Sequence, residues 1–162
     1  MAIIYCDMDG VLADFKTAAV RTTGMSINKW MNIPSSKEKW SLIKKKKDFW
    51  STLPWMPGGK QLWSYISKFD PHILSAYVEE SFDPNCIPGK TAWLRKNTGL
   101  SNRSKINLVR RKDKKLFAKR GKPSILIDDY EKNVRDFINA GGQAIHHTNT
   151  SKTISQLKRL GF

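Results

Sequence analysis

The chain has 162 residues, 40% hydrophobic and 27% charged, the values of an ordinary globular domain large enough for a sizeable core. It has no run of about 18 apolar residues, which excludes a membrane-spanning helix. Its 29 Lys and Arg against 14 Asp and Glu give a net charge of +15, which either keeps a Lys-rich surface soluble or attracts a phosphate-bearing partner, and charge alone does not choose between a nucleotide and a nucleic acid. Two cysteines, Cys6 and Cys86, make no disulfide framework, and the first residues lack the basic and apolar regions of a secretory signal. A reduced, cytoplasmic setting is expected.

In chain order, the first element is a strand over Ala2 to Cys6 (AIIYC). Residues 16–56 follow, too long for a plain crossover and rich in Trp and Lys, with Trp30, Trp40, Phe49, Trp50, Trp55 and the run Lys44 to Lys47. They read as a small helical insertion over one end of the sheet. PGGKQLWSYISKF then spaces Leu62, Trp63, Ile66 and Phe69 along one helical face. A strand over His72 to Leu74 and a helix over Lys90 to Lys96, after Pro88–Gly89, come next. Strands follow over Lys105 to Val109 and Ser124 to Ile127, then a helix with Val134, Phe137 and Ile138 inward that stops at Gly141–Gly142. A strand over Gln143 to His147 and a last helix after Thr150 and Ser151 complete the chain. Alternating strands and helices predict an α/β three-layer fold with a mostly parallel sheet. The expected core is 1–15 with 57–162, and the expected insertion is 16–56.

Polar residues gather where this pattern puts strand carboxyl ends, the rim at which open α/β sheets bind ligands. Asp7 and Asp9 follow the first strand, Ser75 the second, Arg110, Lys112 and Lys114 the third, and Asp128 and Asp129 the fourth. Each feature alone is weak; four in order are not. Asp7, Asp9 and Asp128 form an oxygen-rich set suited to Mg²⁺. A metal offsets the repulsion of carboxylates at an apolar strand end. One carboxylate can then attack phosphorus to form an aspartyl-phosphate, and another two residues on can protonate the leaving oxygen. Ser75 and a lysine would hold the non-bridging oxygens. The alternative use is a phosphate or Ca²⁺ site without turnover. His146 and His147 are adjacent on a strand and point to opposite faces, so they read as structural. Cys6 reads as a buried strand residue.

DMDGVLADF, HILSA, the basic cluster and ILIDDYEKNV resemble, in order and over most of the chain, the four signature motifs of the haloacid-dehalogenase-like (HAD) phosphohydrolases. With FWSTLPWMPGG and GKTAWL they resemble the 5'(3')-deoxyribonucleotidase branch and its bacterial and phage relatives. The resemblance implies a Rossmann-like core with residues 16–56 as a helical cap. It implies Asp7 as nucleophile, and Asp9 as general acid/base whose backbone carbonyl also meets Mg²⁺. It further implies Ser75 as a phosphate-binding hydroxyl, Asp128 completing the metal set and Asp129 orienting it from behind. Phe15, Phe49 and Trp50 match aromatics of the family's nucleobase pocket, and Lys90 a phosphate-contacting lysine whose alternative is a surface residue at a helix start. For the catalytic lysine, ungapped reading of INLVRRK favours Lys112, with Arg110 near phosphate; counting KDKKLFA back from the last motif favours Lys114, the first choice here. The branch often carries Thr-Ser-Pro where this chain has Ser75-Ala76-Tyr77, so one phosphate-binding hydroxyl is missing.

The sequence therefore predicts a Mg²⁺-dependent phosphomonoesterase acting on nucleoside monophosphates. The alternatives are a phosphatase of phosphorylated nucleic-acid ends, motivated by the charge, and a nucleic-acid-binding module without turnover. Intact acids at positions 7, 9, 128 and 129 argue against the last.

Overall fold

The computed structural model describes residues 2–119 and 121–162. Among these, five strands form one parallel sheet: β1 (Ile3–Cys6), β2 (His72–Ala76), β3 (Ile106–Val109), β4 (Ser124–Asp128) and β5 (Gln143–His146). Their order is β3-β2-β1-β4-β5. β1 is central, and the direction of winding reverses there. The gap between β1 and β4 is thus the switch point at which such sheets leave a crevice at their carboxyl edge.

Two strands run further than their apolar cores suggest. β2 continues through Ser75 and Ala76 because they pair with Leu108 and Val109 of β3. β4 continues through Asp128, which pairs with His146 of β5. Strand alternation places Tyr5, Leu74 and Leu126 in one core cluster with Phe117 and Phe137. Tyr5 meets both Phe rings edge-on, at centroid distances of 5.4 and 6.4 Å. Phe137 comes from α6 (Glu131–Asn139), and Phe117 from a 3₁₀ segment over Arg111–Lys119 that no apolar periodicity announces.

The chain divides into two compact units, the first comprising Met1–Ala13, Trp55–Ala76 and Asn102–Phe162, and the second Asp14–Pro54 and Tyr77–Ser101. Besides the sheet and α6, the first unit holds α4 (Gly59–Ile66) and α7 (Thr150–Arg159). The second holds α1 (Phe15–Thr23), α2 (Ile27–Met31), α3 (Ser36–Lys45) and α5 (Cys86–Thr98). Residues 77–101, assigned to the core by the sequence reading, therefore group with 14–54. The cause is aromatic and polar. Trp93 of α5 donates its indole N–H to Leu53 O at 2.7 Å, and Trp50 donates to the buried Asp83 carboxylate at 2.7 Å. Gly89 lets α5 approach closely, since a Cβ there would stand 2.5 Å from Trp50 Cβ. α5 also starts earlier than the expected Lys90. Pro88 occupies its first turn, where a missing N–H costs no helical bond.

Asp14 caps α1, accepting from the Thr17 N–H at 3.1 Å and the Thr17 hydroxyl at 2.7 Å. Its role is local. His147 is buried with Nδ1 2.7 Å from Thr153 Oγ1, and burial holds its pKa below the ordinary value. It serves the interior packing of α7.

Candidate active site

β1 and β4 end side by side, with Cys6 paired to Ile127 and the Asp7 N–H donating to Ile127 O at 2.9 Å. This pairing puts Asp7 and Asp128 at one edge of the sheet. Both are buried. The chain then turns sharply. The Leu12 and Ala13 N–H groups both return to Met8 O at 2.9 Å, which holds Asp9, half-buried, in a tight turn.

Lys114 enters from the 3₁₀ segment after β3. Its side chain is 3% exposed, with Nζ 2.8 Å from Asp128 Oδ2 and 3.1 Å from Asp7 Oδ1. Asp128 is fully enclosed by donors. Oδ2 also accepts from Asn133 Nδ2 at 3.1 Å, and Oδ1 from the Tyr130 N–H at 2.9 Å. Asp7 Oδ1 accepts from the Met8 N–H at 2.8 Å, which fixes the orientation of that carboxylate. Carboxylate oxygens of Asp7, Asp128 and Asp129 lie within 4.8 Å of one another.

The electrostatics follow from crowding. Burial, then the Asp128 charge, push Asp7 well above the usual carboxylate range, against the pull of Lys114. Burial and the Asp128 charge likewise raise Asp129, to about 6. Burial works against the Lys114 ammonium, but the Asp7 and Asp128 carboxylates outweigh it and hold its pKa above the ordinary lysine value. Three carboxylates cluster beside one ammonium, which pairs with Asp7 and Asp128. If all are ionised, two negative charges remain, the complement of a divalent cation. An all-oxygen donor set suits Mg²⁺ rather than a softer metal. The residues fit the ion.

The structure thus brings Asp7, Lys114 and Asp128 into direct contact. It adds Asp129, which the resemblance places behind the metal, to the same carboxylate cluster. Asn133 was not singled out in the sequence; its signal is a polar residue buried beside Val134 and Phe137 on α6. Ser75 is buried in β2, opposite Leu108. Lys112 and Arg110 are exposed. Phe15, Trp50 and Lys90 belong to the second unit. There Phe15 stacks on Trp50 at 5.4 Å and packs against Trp30, Trp40 and Phe49. Trp50 is only 1% exposed, and Lys90, also buried, places Nζ 5.2 Å from its ring centroid. In this arrangement Trp50 and Lys90 belong to the interior of their unit.

No protein-family model and no curated protein matches the sequence. Solved structures do match its fold. The L-2-haloacid dehalogenase from Xanthobacter autotrophicus is 12% identical with a TM-score of 0.58, covering 100% of this chain and 84% of its own. A HAD hydrolase of family IA, variant 3, from Entamoeba histolytica is 14% identical with a TM-score of 0.52, covering 96% and 89%. A HAD family hydrolase from Deinococcus radiodurans with bound phosphate and sodium is 11% identical with a TM-score of 0.50, covering 99% and 88%. This chain has the Rossmann-like α/β fold of the HAD hydrolases.

Proposed function

We propose that the protein is a Mg²⁺-dependent phosphatase that hydrolyses nucleoside monophosphates through an aspartyl-phosphate on Asp7. The observation that carries this reading is the cluster of buried Asp7, Asp128 and Lys114 with half-buried Asp129 at the switch point of a HAD-type sheet. The Deinococcus radiodurans neighbour, with its bound phosphate, supports a phosphoryl substrate.

The side chains of Asp7, Asp128 and Asp129, with the Asp9 backbone carbonyl, would hold Mg²⁺. Held there, Mg²⁺ would supply neutralisation of the charge on the phosphoryl oxygens. The Asp7 carboxylate attacks phosphorus, and the bond from phosphorus to the ester oxygen breaks. Asp9 gives its proton to that oxygen as the nucleoside leaves. In the second half, Asp9 takes a proton from water, which attacks phosphorus, releases phosphate and regenerates Asp7. Lys114 holds Asp7 in place and faces the charge that develops on the transferred group. Ser75 donates to a non-bridging oxygen. The sequence resemblance assigns Phe15 to nucleotide recognition, while Trp50 and Lys90, which it also matches, are buried within their own unit.

The test is phosphate release from a panel of nucleoside monophosphates, sugar phosphates and p-nitrophenyl phosphate, with Mg²⁺ and with chelator. Nucleotides should lead the panel, chelator should stop turnover, and Asp7→Asn should abolish it without unfolding the protein. Retained activity in Asp7→Asn would remove Asp7 as nucleophile.

A further inference from the structure

The segment that leaves β3 does more than deliver Lys114. Arg111, two residues beyond β3, places its guanidinium carbon 5.1 Å from the ring centroid of Tyr130, two residues beyond β4. β2 and β1 stand between those strands. At roughly 4.8 Å per strand, the segment crosses three strand spacings along the carboxyl edge. Its buried residue Lys114 points into the acid cluster, while Arg110, Arg111, Lys112 and Lys115 are exposed. Tyr130 is 45% exposed, so packing does not consume its ring. Its own N–H bonds Asp128, which ties this platform directly to the cluster.

A phosphomonoester has one phosphate to place, and Lys114 already faces it. A guanidinium laid on an aromatic face keeps its N–H edge free for two parallel bonds to an anion, and the stacking fixes its direction. We infer that Arg111 and Tyr130 form a specificity subsite for a second phosphate on the substrate's leaving group, so that nucleotides carrying one are preferred over plain monophosphates. This rests on the phosphatase reading above and names its substrate class more closely. The second phosphate is that of a free nucleoside bisphosphate or the next phosphodiester of an oligonucleotide end; both present the same anion.

The experiment compares kcat and KM for thymidine 5'-monophosphate, thymidine 3',5'-bisphosphate, the 5'-phosphorylated thymidine dinucleotide and p-nitrophenyl phosphate. The bisphosphate, the dinucleotide or both should show a KM about tenfold lower than the monophosphate, at similar kcat and low salt. That ratio should fall toward one in Arg111→Gln and partly in Tyr130→Leu, persist in part in Arg111→Lys, and shrink as ionic strength rises. Lys60→Gln removes an equal charge from an exposed position on α4 and should leave the ratio intact. The dinucleotide arm alone responding would assign the source to nucleic-acid ends; the bisphosphate arm alone, to free nucleotides. Equal KM values, a preference that survives Arg111→Gln, or an equal loss in Lys60→Gln overturns the subsite while p-nitrophenyl phosphate is still hydrolysed. Absence of turnover on every substrate overturns the phosphatase reading, and the subsite with it.

Discussion

Asp129 rests its carboxylate on the backbone of Gly10: a Cβ there would stand 2.1 Å from Asp129 Oδ2. Gly10 also has φ +80°, a conformation that a side chain disfavours. The turn after β1 and the acid after β4 are thus built against each other. Gly10→Ala should cost about 1–2 kcal/mol from backbone conformation alone, with more from the displaced carboxylate. It should also raise the Mg²⁺ concentration for half-maximal activity about 10–100-fold, the usual effect of disturbing groups around a metal. A variant with wild-type Mg²⁺ dependence would show that Asp129 does not need this seat.

The two candidate lysines differ in burial, and this separates them. Lys114→Met leaves Asp7 and Asp128 without their ammonium. Breaking a buried pair costs about 3–5 kcal/mol, less whatever protonation or metal binding recovers. Phosphate release should fall by about 100–1000-fold. Lys112 is exposed, and Lys112→Met should change stability by no more than about 0.5 kcal/mol and leave kcat within a few-fold. Denaturant titration and initial rates on both variants check this; the reverse ranking would transfer the role to Lys112.

The carboxylate cluster predicts a pH signature without metal. Asp129, raised to about 6, keeps a proton in the folded protein that the unfolded chain has already released. Between the ordinary carboxylate value and about 6 the native state therefore binds more protons, and stability falls as pH rises through that window. Asp129→Asn should reduce that slope, leaving the part that Asp7, also raised, contributes. Mg²⁺ competes with those protons, so its stabilisation should grow as pH rises through the same window. At a hundred times its dissociation constant it should add about 2.7 kcal/mol. Thermal unfolding with and without Mg²⁺ at pH 5 and pH 7.5 reads both effects.

Trp50 gives a test of packing against recognition. Its indole N–H satisfies Asp83, which is buried and also accepts from the Asn85 N–H and side-chain amide at 3.0 Å. Trp50→Phe removes one donor to a buried carboxylate and leaves space. Stability should drop by about 2–4 kcal/mol. A rise in KM with unchanged stability would instead make Trp50 a wall of the substrate pocket.

The parallel sheet was legible because each strand is a short β-branched or apolar run closed by a polar residue. The strand ends were harder. Ser75 and Asp128 look like loop residues in the sequence, yet both sit in the ladder, since pairing ignores side-chain polarity. The acids at 7 and 128 were readable as candidates because a carboxylate after an apolar run is costly. Asn133 and Tyr130 were not, because each matters only through a partner brought by folding. Residues 77–101 carry no mark of the unit they join, because the Trp50–Asp83 and Trp93–Leu53 bonds span more than thirty positions. Pro88 misled the start of α5, because a proline in a first turn reads like a break.

The central position of β1 also fixes when the cluster can exist during synthesis. The strand bearing Asp7 is made first, but one of its neighbours, β2, arrives only with residues 72–76, and the other, β4, with residues 124–128. Until β4 has left the ribosome, Asp7 has neither Asp128 beside it nor a settled place for Lys114. A chain arrested between β3 and β4 carries Asp7 on an unpaired strand edge, without the carboxylates that complete the cluster. Such long-range pairing closes slowly, so the acid cluster forms only after four of the five strands have been made.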